Sequence, residues 1–206
     1  MTKPLRLPPG VRVRYVDRLG TDELLEVEGP LLRSVGDDPA RVRQVDIVDD
    51  VSRLARFADE SQDFVVANHV LEHIEDPVEA LENLLRVIRP GGALFLTLPD
   101  PPETFDVARA RTTVEHVLRD HSEGPEASRR QHYEEWARTI ECLPEERVPA
   151  RVAEFEREDA RHHFHVWDLS DFLTLLFALE LPAQIVHAQR YRPEFAVVLR
   201  KLGSGG

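Results

Sequence analysis

Apolar runs flank one amphipathic segment within residues 61–100, and this pattern predicts a strand followed by a helix. The run 64–67 is apolar throughout, as in a strand that is buried on both faces. Asp76 and Pro77 then suit the N-cap and the first turn of a helix. Behind them, apolar residues recur at helical spacing: Val78, Leu81, Leu84, Leu85 and Ile88.

A Pro-Gly-Gly motif at 90–92 is expected to stop this helix, and 93–98 is a second buried strand. A strand, a crossover helix and a second strand of these lengths make a right-handed parallel unit. Ligands of such sheets bind beyond the carboxyl ends of the strands. We therefore expect the functional residues of this unit to include Asn68, His69, Pro99 and Asp100.

Upstream of this unit the pattern is weaker. We predict strands over 11–16 and 44–48 and helices over 21–33 and 51–57. Gly29-Pro30 marks a break in the first of these helices. The ends of the chain are expected to be irregular, with a proline-rich extended entry at 3–10 and a flexible tail at 202–206.

Downstream, the chain becomes helical and strongly charged. Helices are predicted over 112–121, 126–142 and 145–159, so that 101–165 forms a helical insertion. The insertion is either a substrate lid or a cap that merely covers the sheet. Tyr133 and Trp136 are interpreted as core residues of this insertion. A helix capped by Ser170 or Asp171 follows, and an antiparallel pair over 184–191 and 194–200 closes the sheet.

Composition narrows the class of protein. The 206 residues are 42% hydrophobic and 31% charged, which indicates a single globular domain over 1–206. A net charge of −12 argues against nucleic acid as a partner, because a phosphate backbone requires a basic surface. Cys142 is the only cysteine, which excludes an intrachain disulfide and a cysteine zinc cluster. No membrane-spanning run or signal peptide is apparent, so we expect no membrane partner and a cytoplasmic location.

The stretch DFVVANHVLEHIEDPVEALENLLRVIRPGGALFLTLPD resembles the fourth strand, following helix and fifth strand of class I S-adenosylmethionine-dependent methyltransferases. It is most similar to the small-molecule branch that includes the ubiquinone-biosynthesis type. The resemblance covers 11–100 well and the last thirty or so residues loosely. It implies an α/β fold with a Rossmann-like, mostly parallel sheet, an antiparallel last strand and a helical insertion after the fifth family strand.

The resemblance also implies the cofactor, S-adenosylmethionine, and its binding residues. These are Asp17, Asp46, Ile47, Asn68 and His69. Asp17 ends the second family strand, where a carboxylate accepts both ribose hydroxyls, although a loop or capping aspartate is the plainer interpretation. Asp46 lies where the family holds the adenine amino group. Asp49 or Asp50 could replace Asp46 if the register slips, or could simply form an acidic turn.

The chain departs from this family at its amino-terminal end. The family begins with a strand and a glycine-rich turn that lets the backbone approach the cofactor, and the first family strand is missing here. Only ten residues precede the first predicted strand, and Gly10 is the sole glycine among them. A start codon placed too late, a truncated protein, or a gap filled by another chain would each explain this. Because a missing central strand leaves unpaired edges, we expect a compensating segment or a homodimer.

Histidines cluster at 162–165, with His163 and His165 on one face if the segment is extended. Such an arrangement suits a metal or a general base, and a structural hinge is the third alternative. A metal site needs a third protein ligand, for which the sequence offers only Asp168. We therefore predict no metal site.

The resemblance to class I methyltransferases implies methyl transfer from S-adenosylmethionine to an oxygen or nitrogen of a small molecule. A hydroxyl acceptor needs a base, and His69 is best placed, with His163 or His165 second. Asp100 is expected to orient the acceptor, and His73 to be structural. The alternative is a non-catalytic methyltransferase-like protein that acts through a partner or a dimer interface. Titration with S-adenosylmethionine would separate the two functions.

Overall fold

The computed structural model describes residues 8–34, 36 and 38–203, with the backbone alone at 31 and 34. It divides into two compact units, Met1–Arg56 and Phe57–Gly206. The extended entry predicted at 3–10 and the tail predicted at 202–206 fall largely outside the described residues. The prediction of one domain over 1–206 stays a prediction.

The unit Met1–Arg56 contains a small parallel sheet and one helix. Strands β1 (Val16–Asp17) and β2 (Ile47–Val48) pair in parallel, with Val16 opposite Ile47. Both are much shorter than the predicted 11–16 and 44–48, because each finds only the other as a ladder partner within the described part of this unit. Helix α1 (Thr21–Ser34) runs through Pro30, so the predicted break is wrong. Proline removes one helical hydrogen bond there without ending the helix.

The helix predicted over 51–57 does not form, and turns take its place. The carboxylate of Asp49 accepts hydrogen bonds from the backbone N–H groups of Ala55 (3.3 Å) and Arg56 (2.8 Å). That of Asp50 accepts one from Ser52 (2.8 Å). Aspartate side chains that capture nearby amides offer the backbone an alternative to a helix.

The unit Phe57–Gly206 is built on a four-stranded sheet. Its strands are β3 (Gln62–Asn68), β4 (Ile88–Pro99), β5 (Ala183–Tyr191) and β6 (Glu194–Lys201). They lie in the order β3-β4-β6-β5, with β3 and β4 parallel and β6 antiparallel to both of its neighbours. This confirms the predicted Rossmann-like α/β class with its antiparallel last strand. The final antiparallel pair forms as predicted, but β6 lies between β4 and β5, an order that the sequence did not predict.

Helix α2 (Pro77–Val87) is the crossover between β3 and β4, as predicted. The carboxylate of its N-cap residue, Asp76, accepts hydrogen bonds from the backbone N–H groups of Val78 and Glu79, each at 3.0 Å. Its apolar face is fully buried, including Leu81 and Leu84. The helix ends at Val87 and β4 begins at once, so the Pro-Gly-Gly motif lies inside the strand rather than at a helix stop.

Three helices form the insertion: α3 (Val114–Glu123), α4 (Glu126–Thr139) and α5 (Val148–Glu158). Short 3₁₀ helices at Pro101–Glu103 and Phe105–Ala108 lead into them. Tyr133 lies in a buried cluster with Val152, Phe155 and Phe164, and Trp136 packs against it, which confirms their predicted place in the core. None of the described helices is long and apolar enough to span a membrane.

Helix α6 (Leu169–Ala178) begins one residue before the predicted caps. Its N-cap is Asp168, whose carboxylate accepts from the N–H of Asp171 at 3.0 Å. The carboxylate of Asp171 in turn accepts from the N–H of Asp168 at 3.2 Å. This reciprocal capping box satisfies two amides that the first turn leaves without partners. The role of Asp168 in the structure is therefore to cap helix α6.

Candidate functional site

The parallel strands β3 and β4 bring their carboxyl ends to one edge of the sheet, and the predicted rim residues lie there. Asn68 ends β3 opposite Thr97, whose hydroxyl donates a hydrogen bond to the Asn68 side-chain oxygen. His69 follows with φ of +52°, and its N–H donates to the Thr97 carbonyl at 3.0 Å. The left-handed turn at His69 takes the chain out of the strand, which leaves both side chains at the edge.

His69 lies between two carboxylates. Its Nε2 is 2.7 Å from Glu194 Oε2, and its Nδ1 is 3.4 Å from Glu72 Oε1. Burial opposes the charged form, but hydrogen bonding and charge from the two glutamates outweigh it and raise the pKa of His69 to about 9. His69 is therefore a cation near neutral pH in this arrangement, with no lone pair that could accept a proton.

Glu72 is a buried acid that the sequence did not single out. It lies on a 3₁₀ turn, Leu71–His73, and is 1% exposed. Its Oε1 pairs with the His69 cation at 3.4 Å, and its Oε2 has no hydrogen-bond partner among the described residues. Its backbone carbonyl accepts from the N–H groups of Phe164 (2.7 Å) and His165 (3.2 Å), which ties the histidine segment to this edge. A buried carboxylate oxygen without a donor is suited to bind a polar group.

His163 is oriented by an acid from the insertion. Its Nδ1 is 2.7 Å from Asp106 Oδ2, and because a carboxylate only accepts, Nδ1 carries the proton. Asp106 is itself buried and accepts from Arg109 at 2.9 Å. Burial raises the pKa of Asp106, but His163 and then Arg109 outweigh it, and the net shift is downward. With Nδ1 engaged by Asp106, Nε2 is the ring nitrogen left to contact an acceptor, in the manner of the acid–histidine pairs of many enzymes.

His73 adds a third group beside Glu72 and His163. Its Nδ1 lies 3.0 Å from the carbonyl of Arg161 and 3.1 Å from that of His162, so the ring is held by two backbone acceptors. Burial lowers the pKa of His73 and keeps it neutral. One ligand atom each from Glu72, His73 and His163 lie within 4.8 Å of one another, so this group could hold a cation or a polar acceptor.

Asp100 lies just beyond β4 and is 5% exposed. Its Oδ2 is 3.6 Å from Arg190 Nε, whereas its Oδ1 is buried without a hydrogen-bond partner among the described residues. That oxygen is available for the acceptor contact that the sequence predicts. A narrow pocket at this edge is lined by Glu72, Asp106 and His165, among others, and is too small for a water molecule.

His165 does not join His163. It is 1% exposed, its Nε2 lies 3.2 Å from the Glu75 carbonyl, and its ring stacks on Trp167. Burial, with a smaller contribution from His132, lowers its pKa to about 3. Such a weak base is a poor proton acceptor at neutral pH, so the geometry favours His163 of the two.

The acids predicted to hold the adenosyl group belong to the unit Met1–Arg56, where Asp17 ends β1 and Asp46 directly precedes β2. Asp17 Oδ1 accepts from the Leu19 N–H at 3.0 Å, and Asp46 Oδ2 accepts from the Tyr15 N–H at 2.8 Å. Each carboxylate thus keeps one oxygen without a described hydrogen bond, which suits a ribose hydroxyl or an adenine amino group. Ile47 is half-buried in β2. These residues fit S-adenosylmethionine as far as this unit describes them.

Sequence comparison places a methyltransferase match over part of the chain. Residues 33–96 match the family model described as "Methyltransferase domain". No curated protein sequence matches the chain. The family match supports the expectation of a methyltransferase and of S-adenosylmethionine as its cofactor.

The chain is also similar to several solved structures, at low sequence identity. A possible exported protein from Bordetella parapertussis is 15% identical, with a TM-score of 0.46 over 95% of this chain. This chain spans 55% of that protein's length. An S-adenosylmethionine-dependent methyltransferase from Thermotoga maritima, a possible histamine N-methyltransferase, is 14% identical over 95% of this chain and 84% of its own, with a TM-score of 0.44. An S-adenosylmethionine-dependent methyltransferase from Methanosarcina mazei is 16% identical, and the match covers 91% of this chain and 80% of that protein, with a TM-score of 0.41.

Proposed function

We propose that this chain transfers a methyl group from S-adenosylmethionine to an oxygen or nitrogen of a small molecule. The observation that carries the proposal is the methyltransferase match over 33–96, which includes β2, β3, α2 and most of β4. The rim of β3 and β4 supports it independently, because an oriented histidine and buried acids lie there. The homodimer and the cytoplasmic location stay predictions.

The cofactor, when bound, supplies a methyl group made electrophilic by the sulfonium. Asp17 would accept hydrogen bonds from the ribose hydroxyls through Oδ2, and Asp46 would accept from the adenine amino group through Oδ1. Ile47 offers an apolar contact for the adenine ring. Asn68 presents amide N–H groups, since its oxygen is engaged by Thr97.

In this proposal, His163 is the general base. Its Nε2 accepts the proton of the acceptor hydroxyl or amine, while Asp106 holds Nδ1–H and stabilises the imidazolium that forms. Asp100 Oδ1 orients the acceptor. His69, predicted first as the base, would act instead as a fixed positive charge beside Glu72 and Glu194.

The insertion 101–165 acts as a lid in this proposal. Asp106 and His163 lie near its two ends, so the insertion carries both members of the pair. The pocket beside Glu72 is too narrow for a water molecule, and an acceptor would enter only when the insertion moves. Closure over the acceptor would exclude water from the displacement.

Calorimetric titration of the full chain with S-adenosylmethionine tests the cofactor. Binding in the micromolar range is expected, and Asp17→Ala should weaken it. Absence of binding in a folded sample would contradict the proposal and favour the non-catalytic alternative.

Turnover tests the base. Release of S-adenosylhomocysteine would be measured with a panel of phenols and amines. His163→Ala should lower kcat by roughly 10²- to 10⁴-fold and leave cofactor affinity unchanged. His187→Ala, at an exposed histidine of β5, is the matched control. Equal turnover in the His163 and His187 variants would exclude His163 as the base.

A further inference from the structure

Three histidines from separate elements of the insertion lie close together. His116 lies on α3, His132 on α4, and His165 on the extended segment before α6. One ring nitrogen from each lie within 4.8 Å of one another. Nε2 of His116 and Nε2 of His132 are 3.1 Å apart. The rings are therefore close enough to share one ligand.

The ring of His165 has one nitrogen, Nδ1, without a hydrogen-bond partner among the described residues. His165 is buried, and its Nε2 donates to the Glu75 carbonyl, so its Nδ1 carries a lone pair. This Nδ1 is buried without a partner among the described residues. An unpaired polar atom in the interior is unfavourable, and it requires an explanation. A histidine whose second nitrogen is fixed by a carbonyl is also the usual form of a metal ligand.

A buried acid lies beside one ring of the group. Asp120 Oδ2 lies 3.1 Å from Nε2 of His116, and Asp120 is 2% exposed. The Ser128 hydroxyl donates to the same oxygen at 2.6 Å and holds the carboxylate in place. Three imidazoles are a ligand set that zinc accepts, with water in the fourth position.

We propose that His116, His132 and His165 bind a divalent cation of the zinc class. Zinc–nitrogen bonds of about 2.1 Å set ligand atoms about 3.4 Å apart in a tetrahedron. The two Nε2 atoms lie slightly closer than this, at 3.1 Å, and all three ligand nitrogens are within 4.8 Å of one another, so small shifts of the rings would complete the geometry. The ion would join α3, α4 and the segment that carries His163.

Arg119 competes with the ion. Its Nη2 lies 2.9 Å from Nδ1 of His116, and by donating there it places the ring proton on Nε2, the ligand atom. Binding requires Arg119 to swing away, which its half-exposed side chain allows. Arg119→Ala should therefore tighten zinc binding, an effect that a purely structural cluster would not show.

The experiment measures zinc bound by the full chain after dialysis against buffered zinc chloride, by elemental analysis. We expect one zinc ion per wild-type chain. His132→Ala and His132→Gln should each lower the affinity for zinc by at least about 100-fold and therefore lose the ion on dialysis. His187→Ala and His73→Ala should retain it, the latter because His73 belongs to the separate group with Glu72 and His163. Circular dichroism checks that each variant is folded.

Cobalt substitution gives a second measurement that needs no variant. Bound Co²⁺ with nitrogen ligands in a tetrahedron absorbs strongly in the visible range, and zinc should displace this absorption. Absence of metal uptake by the wild-type chain would overturn the proposal. Retention in His132→Gln, or loss in His73→Ala, would overturn it equally.

Discussion

At the scale of single residues, His69 carries the strongest electrostatic signature of the rim. Glu72 and Glu194 face its two ring nitrogens, and their charges exceed the cost of burial. Glu194→Gln should therefore lower the pKa of His69 from about 9 toward its ordinary value near 6.5. Titration of the imidazole signals by nuclear magnetic resonance measures this shift.

Glu82→Gln, on the exposed side of α2, is the control for that titration and should leave His69 unchanged. The raised pKa also means that the ion pairs of His69 stabilise the fold fully below about pH 6.5 and are lost as the pH rises through about 9. A wild-type pKa near 6.5 would contradict this picture of the rim.

Asp106 provides the second residue-scale prediction. Asp106→Asn preserves the shape of the side chain but removes the charge that orients His163. We expect a loss in kcat of roughly 10²- to 10⁴-fold, with unchanged affinity for S-adenosylmethionine. Asp63→Asn, at an exposed aspartate, is the control. Turnover of Asp106→Asn equal to that of the control, or a matching loss of cofactor affinity, would contradict a positioning role.

Sequence reasoning found part of this site and missed the rest for a physical reason. Asn68, His69 and Asp100 follow directly from the ends of two parallel strands, which periodicity predicts. Asp106 and Glu72 could not be recognised, because burial alone distinguishes them from other acids of the chain. The same holds for the histidine cluster, because the sequence does not show that His116 and His132, on two consecutive helices, lie beside His165.

At the scale of elements, the start of β4 depends on two adjacent glycines with different constraints. Gly91 has φ of +78° and open space where a side chain would point. At Gly92, a Cβ would lie 2.6 Å from the Asp63 carbonyl oxygen and 2.6 Å from Ile88 Cγ2. Gly91→Ala should cost about 1 kcal/mol through backbone strain alone. Gly92→Ala should cost roughly 3 kcal/mol, because backbone must move to relieve the overlap.

Urea unfolding of the two variants, compared with wild type, measures the difference. A loss of stability at Gly91→Ala equal to or greater than that at Gly92→Ala would show that the close approach of β3 and β4 is not what requires glycine here.

Elements with strong periodicity were predictable, and short ones were not. Helix α2 and strands β3 and β4 follow from apolar spacing and one N-cap. The region 51–57 formed turns because Asp49 and Asp50 bind the local amides, an outcome that composition alone does not separate from helix capping. Strands β1 and β2 are short because pairing, rather than propensity, sets their length.

At the scale of the whole molecule, buried neutral histidines make stability depend on pH. Burial lowers the pKa of His132 and His162 to about 4 and that of His165 to about 3. In the unfolded chain these groups take up protons below about pH 6.5, whereas the folded chain does not. The free energy of unfolding should therefore fall as the pH drops below 6.5, by up to about 1.4 kcal/mol per pH unit for each histidine.

Chemical denaturation at several pH values between 5 and 8 measures this slope. His162→Ala should flatten it, whereas His187→Ala, at an exposed site, should not. A stability that stays constant from pH 7 to pH 5 would show that these rings are already charged or solvated in the folded state.

The stacking of aromatic rings has an optical consequence. The chain has two tryptophans, and each lies nearly flat against a histidine: Trp136 on His162 at 4.3 Å and Trp167 on His165 at 4.9 Å. A protonated imidazole quenches indole emission, whereas a neutral one does so weakly. Intrinsic tryptophan fluorescence therefore reports the charge of these buried histidines. Paramagnetic Co²⁺ bound by His165 would quench the emission of Trp167 more than that of Trp136.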